Sequence, residues 1–199
     1  DKVCNFDCVY CQVDRTEQSE TLFVEMDGVV GELGEMLDLV ERGAIWQTAK
    51  FQDVPSGLRR LVDIAFSGDG EPTTYRNFDE IIAACAQLVS GRRTPAVTHN
   101  VAPETPPTQP PKLVLITNAS MFHRPHVQRA LRIFDEDQGE IWAKLDAGTP
   151  EYYQRVNRAP FRFEIVLENI AQAARQRPLV IQSLFMRLHD QPPPPDEWQ

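Results

Sequence analysis

The stretch LVDIAFSGDGEPT, residues 61–73, combines a strand pattern with a glycine-rich loop. Its first part, 61–66, is a short apolar run with the length and flanks of a buried strand, and SGDGEPT follows as a glycine-rich polar loop. Behind the loop, Asn77 and Glu80 have the spacing of a capping box, which predicts a helix start. The helical stripe that follows consists of Phe78, Ile81, Ile82, Cys85, Leu88 and Val89. The stretch therefore predicts a strand, a loop and a helix in succession.

The same alternation of strand and helix runs along the rest of the chain. Apolar spacing predicts further helices and further strands. One helix covers 26–40, one begins near Pro125, and one begins at about Phe161 with Ile165, Ile170 and Ala174 facing inward. The strands cover 112–117, 141–145 and 179–184. Such alternation favours an α/β fold in which parallel strands are joined by right-handed helical crossovers, either as an open sheet or as a barrel. Local pattern alone does not separate these two architectures.

Polar segments follow three of the predicted strands. They are SGDGEPT at 67–73, TNAS at 117–120 and KLDAGT at 144–149. Because the carboxyl ends of parallel strands meet at one edge of a sheet or one mouth of a barrel, these segments are expected to share a cavity there. Gln182, near the end of the last predicted strand, is a further candidate to line it.

Glycine and acidic residues in the first of these segments suit an amino acid head group. Glycine lets the backbone approach a ligand closely and a carboxylate complements an ammonium, so Gly68, Gly70 and Glu71 are candidates to bind such a group. An ordinary turn is the alternative interpretation of the same residues. Lys144 and Asp146, whose side chains share one side of a strand, are candidates either for the same cavity or for a structural ion pair at the strand end.

Composition bounds the size of the protein and its partners. A chain of 199 residues with 42% hydrophobic content can bury one core, so a single domain is predicted over 1–190, with 92–111 as a proline-rich inserted loop and 191–199 as a disordered tail. The net charge of -9 disfavours nucleic acid as a partner, because a polyanion needs clustered Lys and Arg. The sequence contains no apolar stretch of membrane-spanning length and no signal-peptide pattern, which predicts a soluble, cytoplasmic protein with no membrane partner.

The segment CNFDCVYCQ, residues 4–12, places Cys4, Cys8 and Cys11 at CxxxCxxC spacing. One loop with this spacing can wrap three thiolates around one metal centre. A four-iron cube held by three thiolates leaves one iron open to a small molecule, whereas an electron-carrying cluster usually has every corner closed by cysteine. A zinc site completed by a distant residue and three unlinked buried thiols are the alternatives. The fourth cysteine, Cys85, lies on an apolar helical stripe and is predicted to be a core residue.

CNFDCVYCQ resembles the CxxxCxxC signature of radical S-adenosylmethionine (SAM) enzymes, including an aromatic residue, Tyr10, immediately before the third cysteine. The resemblance implies a [4Fe-4S] cluster held by the three cysteines, SAM chelated to the open iron, and Tyr10 near the adenine. FSGDGEPT resembles the family's GGEP stretch, which holds the methionine amino group, although Asp69 separates the two glycines here. By the same resemblance, Asn118, Lys144 and Asp146 contact the carboxylate and ribose of SAM.

The resemblance also implies an activity and an architecture. The reduced cluster gives one electron to the sulfonium of SAM, which splits into methionine and a 5′-deoxyadenosyl radical that takes a hydrogen atom from an unknown substrate; an electron donor such as flavodoxin or ferredoxin reduces the cluster. The implied fold is a partial (β/α)6 TIM-like barrel with parallel strands, without its first and last strands, as in a fragment. The most similar members are stand-alone iron-sulfur oxidoreductases related to the tRNA wyosine-forming enzymes. The alternatives are a glycyl-radical-activating enzyme and a non-catalytic iron-sulfur electron-transfer protein.

Overall fold

A parallel sheet forms the centre of the protein. The computed structural model describes residues 2–14, 16, 22–92 and 110–198, and within these residues four strands pair in chain order. They are β1 (Asp63–Phe66), β2 (Lys112–Thr117), β3 (Glu140–Lys144) and β4 (Val180–Gln182). Every neighbouring pair is parallel. The predicted α/β fold with parallel strands is therefore confirmed.

Five α-helices occur in the described part of the chain, and four of them connect strands. They are α1 (Met26–Glu41), α2 (Phe78–Gly91), α3 (Pro125–Glu136), α4 (Pro150–Val156) and α5 (Phe163–Ala174). Helix α2 leads from β1 to β2, α3 from β2 to β3, and α4 with α5 from β3 to β4. Parallel strands that follow each other in chain order, with helical crossovers between them, form a segment of a barrel wall, in agreement with the predicted partial barrel.

The hydrophobic core fills the space between the sheet and its crossover helices. Strand β2 buries Leu113 and Leu115 from one face, because alternate residues of a strand point to the same side. Ile82 of α2 and Leu131 of α3 are both 0% exposed, and enclosing a side chain of this size contributes about 1.5–3 kcal/mol. Cys85 is 1% exposed on the same helix as Ile82, which confirms the prediction that it is a core residue.

Helix α4 is a short element that the apolar pattern does not predict. Thr149 caps it by accepting a hydrogen bond from the backbone N–H of Tyr152, and Pro150 occupies its first turn. Seven residues are too few to show a helical repeat, yet Tyr153 and Val156 are buried. The ring of Tyr153 and the carbonyl of Val156 both contact the N-terminal cysteine segment, so α4 forms the support on which that segment lies.

Two details of the predicted helices are wrong. Asn77 precedes α2 but makes no side-chain cap; its Oδ1 accepts from the Val24 N–H at 3.0 Å and its Nδ2 donates to the Val24 carbonyl at 2.8 Å. A long-range partner has replaced the local cap. Helix α5 begins at Phe163 and buries Phe163 and Val166, while Ile165 is 40% exposed. The buried face repeats at helical spacing through Phe163, Val166, Ile170 and Ala173. Ile170 is therefore buried as predicted, whereas Ile165 and Ala174 lie off this face and are exposed.

Of the two predicted surface segments, the structure describes most of the C-terminal tail but little of the inserted loop. Residues 93–109, most of the predicted inserted loop, lie outside the described residues. The predicted tail at 191–199 is described up to 198 and contains a 3-10 turn, Pro195–Trp198. There the Glu197 carboxylate accepts hydrogen bonds from the Gly148 N–H, at 2.6 Å, and from the Thr149 hydroxyl. No helix in the described ranges combines the length and the apolar character needed to cross a membrane.

Candidate functional site

A cavity of about 200 Å³ opens at the carboxyl ends of the strands. The residues singled out in the sequence all line it: Cys4, Cys8, Cys11 and Tyr10 from the N-terminal segment, and Gly68, Gly70, Glu71, Asn118, Lys144, Asp146 and Gln182 from the strand ends. Segments far apart in the chain meet there because parallel strands present their carboxyl ends at one edge. The lining also includes Phe6 and Thr117, which lie within CNFDCVYCQ and TNAS but were not singled out, and Asn157, which lies in none of the quoted segments.

The three cysteines of the N-terminal segment are half-buried thiols that face this cavity. The Cys11 N–H donates to the Cys8 carbonyl at 2.9 Å, which closes a turn between the two residues. Among the described residues, no three His, Cys, Asp or Glu side chains form a compact group of the kind that encloses a single metal ion. Three thiols around one cavity, with Cys85 held away in the core, are the donor set that a four-iron cluster with one open iron requires.

Phe6 anchors the middle of the cysteine segment. Its side chain is 6% exposed, and its ring packs edge-on against Tyr153 at a centroid distance of 5.8 Å and beside Phe161 at 6.3 Å. Aromatic pairs of this kind add about 0.5–1.5 kcal/mol to the energy of burial. The loop that carries the cysteines is therefore fixed to the body of the protein by its own apolar side chain.

Hydrogen bonds tie the Cys4 end of the segment to the first two strand ends. The Glu71 N–H donates to the Val3 carbonyl at 2.8 Å. The Asn5 amide donates to the Ser120 hydroxyl and accepts from Asn118 Nδ2, both at 2.8 Å. Asn118 Oδ1 accepts in turn from the Ser120 N–H at 3.0 Å. Both polar atoms of the Asn118 side chain are thus engaged within the protein, where they hold the cysteine segment.

The carboxylate of Glu71 is hydrogen-bonded both within its own loop and to the end of β2. It is 3% exposed and accepts four hydrogen bonds: from the Thr73 N–H at 3.1 Å and hydroxyl at 2.5 Å, from the Thr117 hydroxyl at 2.6 Å, and from the Asn118 N–H at 2.7 Å. Burial raises the pKa of Glu71, and the four hydrogen bonds oppose that rise. The bonds join the glycine-rich loop to the end of β2. The Glu71 carboxylate is occupied by these bonds. In this loop, the backbone of Gly68 and Gly70 is therefore more accessible to a ligand than the Glu71 carboxylate.

Gly68 sets the path of the glycine-rich loop. Its φ of 136° lies in a region that residues with a Cβ rarely adopt. No heavy atom lies within 4 Å of the position that a Cβ would take, so the requirement for glycine comes from the backbone conformation and not from crowding. This conformation lets the chain turn from β1 into the rim of the cavity.

Tyr10 lies between a carboxylate and an ammonium group. Its hydroxyl donates a hydrogen bond to Asp146 Oδ2, and the Lys144 Nζ lies 4.8 Å from its ring centroid in a cation–π contact. Burial raises the pKa of Tyr10, and the hydrogen bond to Asp146 raises it further, so the phenol stays protonated at neutral pH. Lys144 and Asp146 each contact Tyr10 instead of forming the strand-end ion pair that was the alternative interpretation.

Asp146 connects three parts of the site. Its Oδ1 accepts from the Leu184 N–H at 2.9 Å, just beyond β4, and its Oδ2 accepts from Tyr10 and, at 3.3 Å, from Asn157 Nδ2. The residue is 8% exposed, so its charge is compensated mainly by these donors. The end of β3 is thereby bonded to the end of β4, to the end of α4 and to the cysteine segment.

Comparison with known proteins identifies the family. Residues 2–189 match the family model described as Radical SAM superfamily. UPF0026 protein slr1464 of Synechocystis sp. is 27% identical over 196 residues, which cover 94% of this chain and 57% of that protein. A UPF0026 protein of Helicobacter pylori strain J99 is 24% identical over 191 residues, which cover 94% of this chain and 49% of that protein. The chain thus spans about half the length of these relatives.

A solved structure shares the fold. It is described as TYW1 with a lysine-pyruvate adduct bound, and it matches with a TM-score of 0.50 and 16% identity over 92% of this chain and 52% of that chain. At this identity the match shows a shared fold alone, in agreement with the parallel α/β architecture. From the match over residues 2–189, the chain belongs to the radical SAM superfamily.

Proposed function

We propose that this protein is an enzyme that reductively cleaves SAM at a [4Fe-4S] cluster bound by Cys4, Cys8 and Cys11. The observation that carries the proposal is the convergence of three thiols with the polar strand ends in one cavity. When bound and reduced, the cluster supplies one electron to the sulfonium of SAM, which gives methionine and a 5′-deoxyadenosyl radical that takes a hydrogen atom from the substrate.

The cavity offers partners for both halves of SAM. Gly68 and Gly70 present backbone to the ammonium group of the methionine half, and the Lys144 ammonium lies in the lining where it can pair with the carboxylate. The ring of Tyr10 offers a flat apolar surface to the adenine. In this proposal Glu71 and Asn118 act indirectly, since their side chains hold the glycine-rich loop and the cysteine segment in place.

Apolar side chains complete the lining. Phe6, Val13 and Ile116 face the same cavity as the polar groups. A radical formed beside such residues is shielded from water, and side reactions are suppressed as a result. The protein therefore supports the chemistry by orienting SAM and by excluding solvent.

The test uses the complete protein under anaerobic conditions. After reconstitution with iron and sulfide and reduction with dithionite, in place of flavodoxin or ferredoxin, the wild type should contain a four-iron cluster and convert SAM to 5′-deoxyadenosine. Cys11→Ala should lose both properties, because it removes one of three cluster thiolates. Cys85→Ala is the matched control: it removes a thiol from the core and should retain both.

Two outcomes would favour the alternatives: the first would contradict SAM cleavage, and the second would keep it but identify the substrate as a partner protein. A wild-type protein that binds the cluster but yields no 5′-deoxyadenosine would be an electron carrier. Product that forms only after addition of a particular partner protein would indicate a glycyl-radical-activating enzyme.

A further inference from the structure

Asn157 is a buried residue of the cavity that lies outside both CNFDCVYCQ and FSGDGEPT. It directly follows Val156, the last residue of α4, and is 4% exposed. Its side-chain nitrogen, Nδ2, lies 3.5 Å from Cys8 Sγ and 3.3 Å from Asp146 Oδ2. One amide therefore contacts both a cysteine of the CxxxCxxC segment and the carboxylate to which Tyr10 is bonded.

The orientation of the Asn157 amide follows from its neighbours. Nδ2 carries two hydrogens, so it can donate to the sulfur and to the carboxylate at the same time, and both of these groups are acceptors. The opposite orientation would place the amide oxygen against a carboxylate and a sulfur. The separation of 3.5 Å from Sγ suits a hydrogen bond to an acceptor as large as sulfur.

The backbone holds this side chain against Cys8. The Asn157 carbonyl accepts from the Asp7 N–H at 3.2 Å, and the Val156 carbonyl accepts from the Val9 N–H at 2.8 Å. Residues on both sides of Cys8 are thus bonded to the end of α4. Because the two segments are joined by backbone, the contact between Nδ2 and Sγ does not depend on a flexible side chain reaching across solvent.

We propose that Asn157 is a positioning residue that raises the reduction potential of the cluster by donating a hydrogen bond to the Cys8 thiolate, an inference that rests on the proposed function. A donor beside a cluster sulfur draws electron density from the thiolate and stabilises the reduced cluster, which carries one more negative charge. The same amide also compensates Asp146, whose charge would otherwise oppose reduction. Loss of the amide should therefore make the cluster harder to reduce.

The test measures the midpoint potential of the reconstituted complete protein without SAM, by redox titration followed by electron paramagnetic resonance. Asn157→Leu removes the donor and keeps a side chain branched at Cγ, and Asn157→Asp keeps the shape while replacing the donor by a carboxylate. Asn169→Leu is the matched control, because Asn169 is also buried, at 6% exposed, but its Nδ2 donates to the carbonyls of Ala119 and Ser120. Iron content is measured for each protein beforehand.

We expect both Asn157 variants to bind the cluster and to have a more negative potential, the Asp variant more so. For the Leu variant, the ratio of reduced to oxidised cluster at a fixed ambient potential should fall roughly tenfold, equivalent to about 59 mV for a one-electron couple. Asn169→Leu should keep the wild-type potential, which separates tuning of the cluster from a general effect of losing a buried amide.

Several results would overturn the proposal. A wild-type potential in a cluster-containing Asn157 variant would show that the contact does not tune the cluster, while the proposed function would stand if the wild type still cleaves SAM. Loss of the cluster from both variants would make Asn157 a residue needed for assembly instead. A wild type that takes up no cluster would overturn this inference and the proposed function together.

Discussion

The hydroxyl of Tyr10 donates a hydrogen bond to the carboxylate of Asp146, 136 positions further along the chain. This bond connects the residue before the third cysteine to the loop that follows β3. Lys144, at the end of the same strand, lies over the ring of Tyr10. A single aromatic side chain thus joins the cysteine segment to the rim of the sheet, and its two functions, as ring and as donor, can be separated by substitution.

Tyr10→Phe keeps the ring and removes the donor to Asp146. Because a mostly buried carboxylate loses one of its partners, the free energy of unfolding of the metal-free protein should fall by about 1–2 kcal/mol in urea titration. Tyr153→Phe is the matched control, since the buried Tyr153 hydroxyl has no hydrogen-bond partner within the described residues. Its removal should leave the free energy of unfolding unchanged or raise it. Equal losses in the two variants would contradict a stabilising role for the Tyr10 hydroxyl.

Glu71 should make the stability of the protein depend on pH. Burial holds its pKa in the folded protein above the ordinary value of 4.5, so the folded state binds this proton more tightly than the unfolded state. The stabilising contribution is therefore fully present below the ordinary pKa and is lost as pH rises through the raised one. In urea titrations at several pH values, wild type should lose stability relative to Glu71→Gln as pH rises.

The control for the Glu71 measurement lies in the same loop. Asp69 is exposed, so Asp69→Asn changes the charge of the loop without changing a buried carboxylate. The difference in free energy of unfolding between Glu71→Gln and wild type should change with pH far more than the corresponding difference for Asp69→Asn. A pH-independent difference for Glu71→Gln would contradict a raised pKa of Glu71 in the folded protein.

The strands could be predicted because each is a compact apolar run followed by a polar loop. The predicted strand at 112–117 coincides with β2, and the one predicted at 141–145 differs from β3 by a shift of one residue. Because the strands are parallel, the loops that follow them lie at the same edge of the sheet. Residues chosen from separate motifs therefore line one cavity. Periodicity and loop composition are local signals, and they were sufficient for this level of the fold.

The roles of individual side chains depended on contacts that local signals do not contain. Glu71 has the residue type expected for an ammonium ligand, but Thr117 and Asn118 supply partners to its carboxylate from the end of another strand. One signal was available, because a carboxylate directly before Pro72 is well placed to cap the 3-10 turn Pro72–Thr74. Asn157 gave no signal, since it follows a helix too short to show a repeat.

Cys85 should differ from the other cysteines in its reaction with thiol reagents. Its side chain is 1% exposed in the core, and burial raises the pKa of its thiol to about 11. At pH 8 almost no Cys85 thiolate is present, and the reagent cannot reach it. In the folded, metal-free protein, Ellman's reagent should therefore modify Cys4, Cys8 and Cys11 rapidly and Cys85 only after denaturant is added. Four equally fast thiols would place Cys85 outside the core.

Lys144→Met should weaken the binding of SAM while leaving the cluster intact. The substitution keeps most of the length of the side chain and removes the charge that pairs with the SAM carboxylate in the proposed function. A hydrogen bond to a charged group contributes about 1.5–3 kcal/mol, so the Kd for SAM should rise by roughly 10- to 100-fold in anaerobic calorimetric titration of the reconstituted protein.

Lys112→Met is the matched control for this measurement. Lys112 begins β2 and forms an ion pair with Glu140 at 2.6 Å, at the end of the sheet opposite the cavity. Its loss should leave the Kd for SAM unchanged, because an exposed ion pair contributes little and the SAM site lies beyond the other ends of the strands. If Lys144→Met retains both its iron and the wild-type Kd, Lys144 does not bind the SAM carboxylate, and its contact with the ring of Tyr10 is structural.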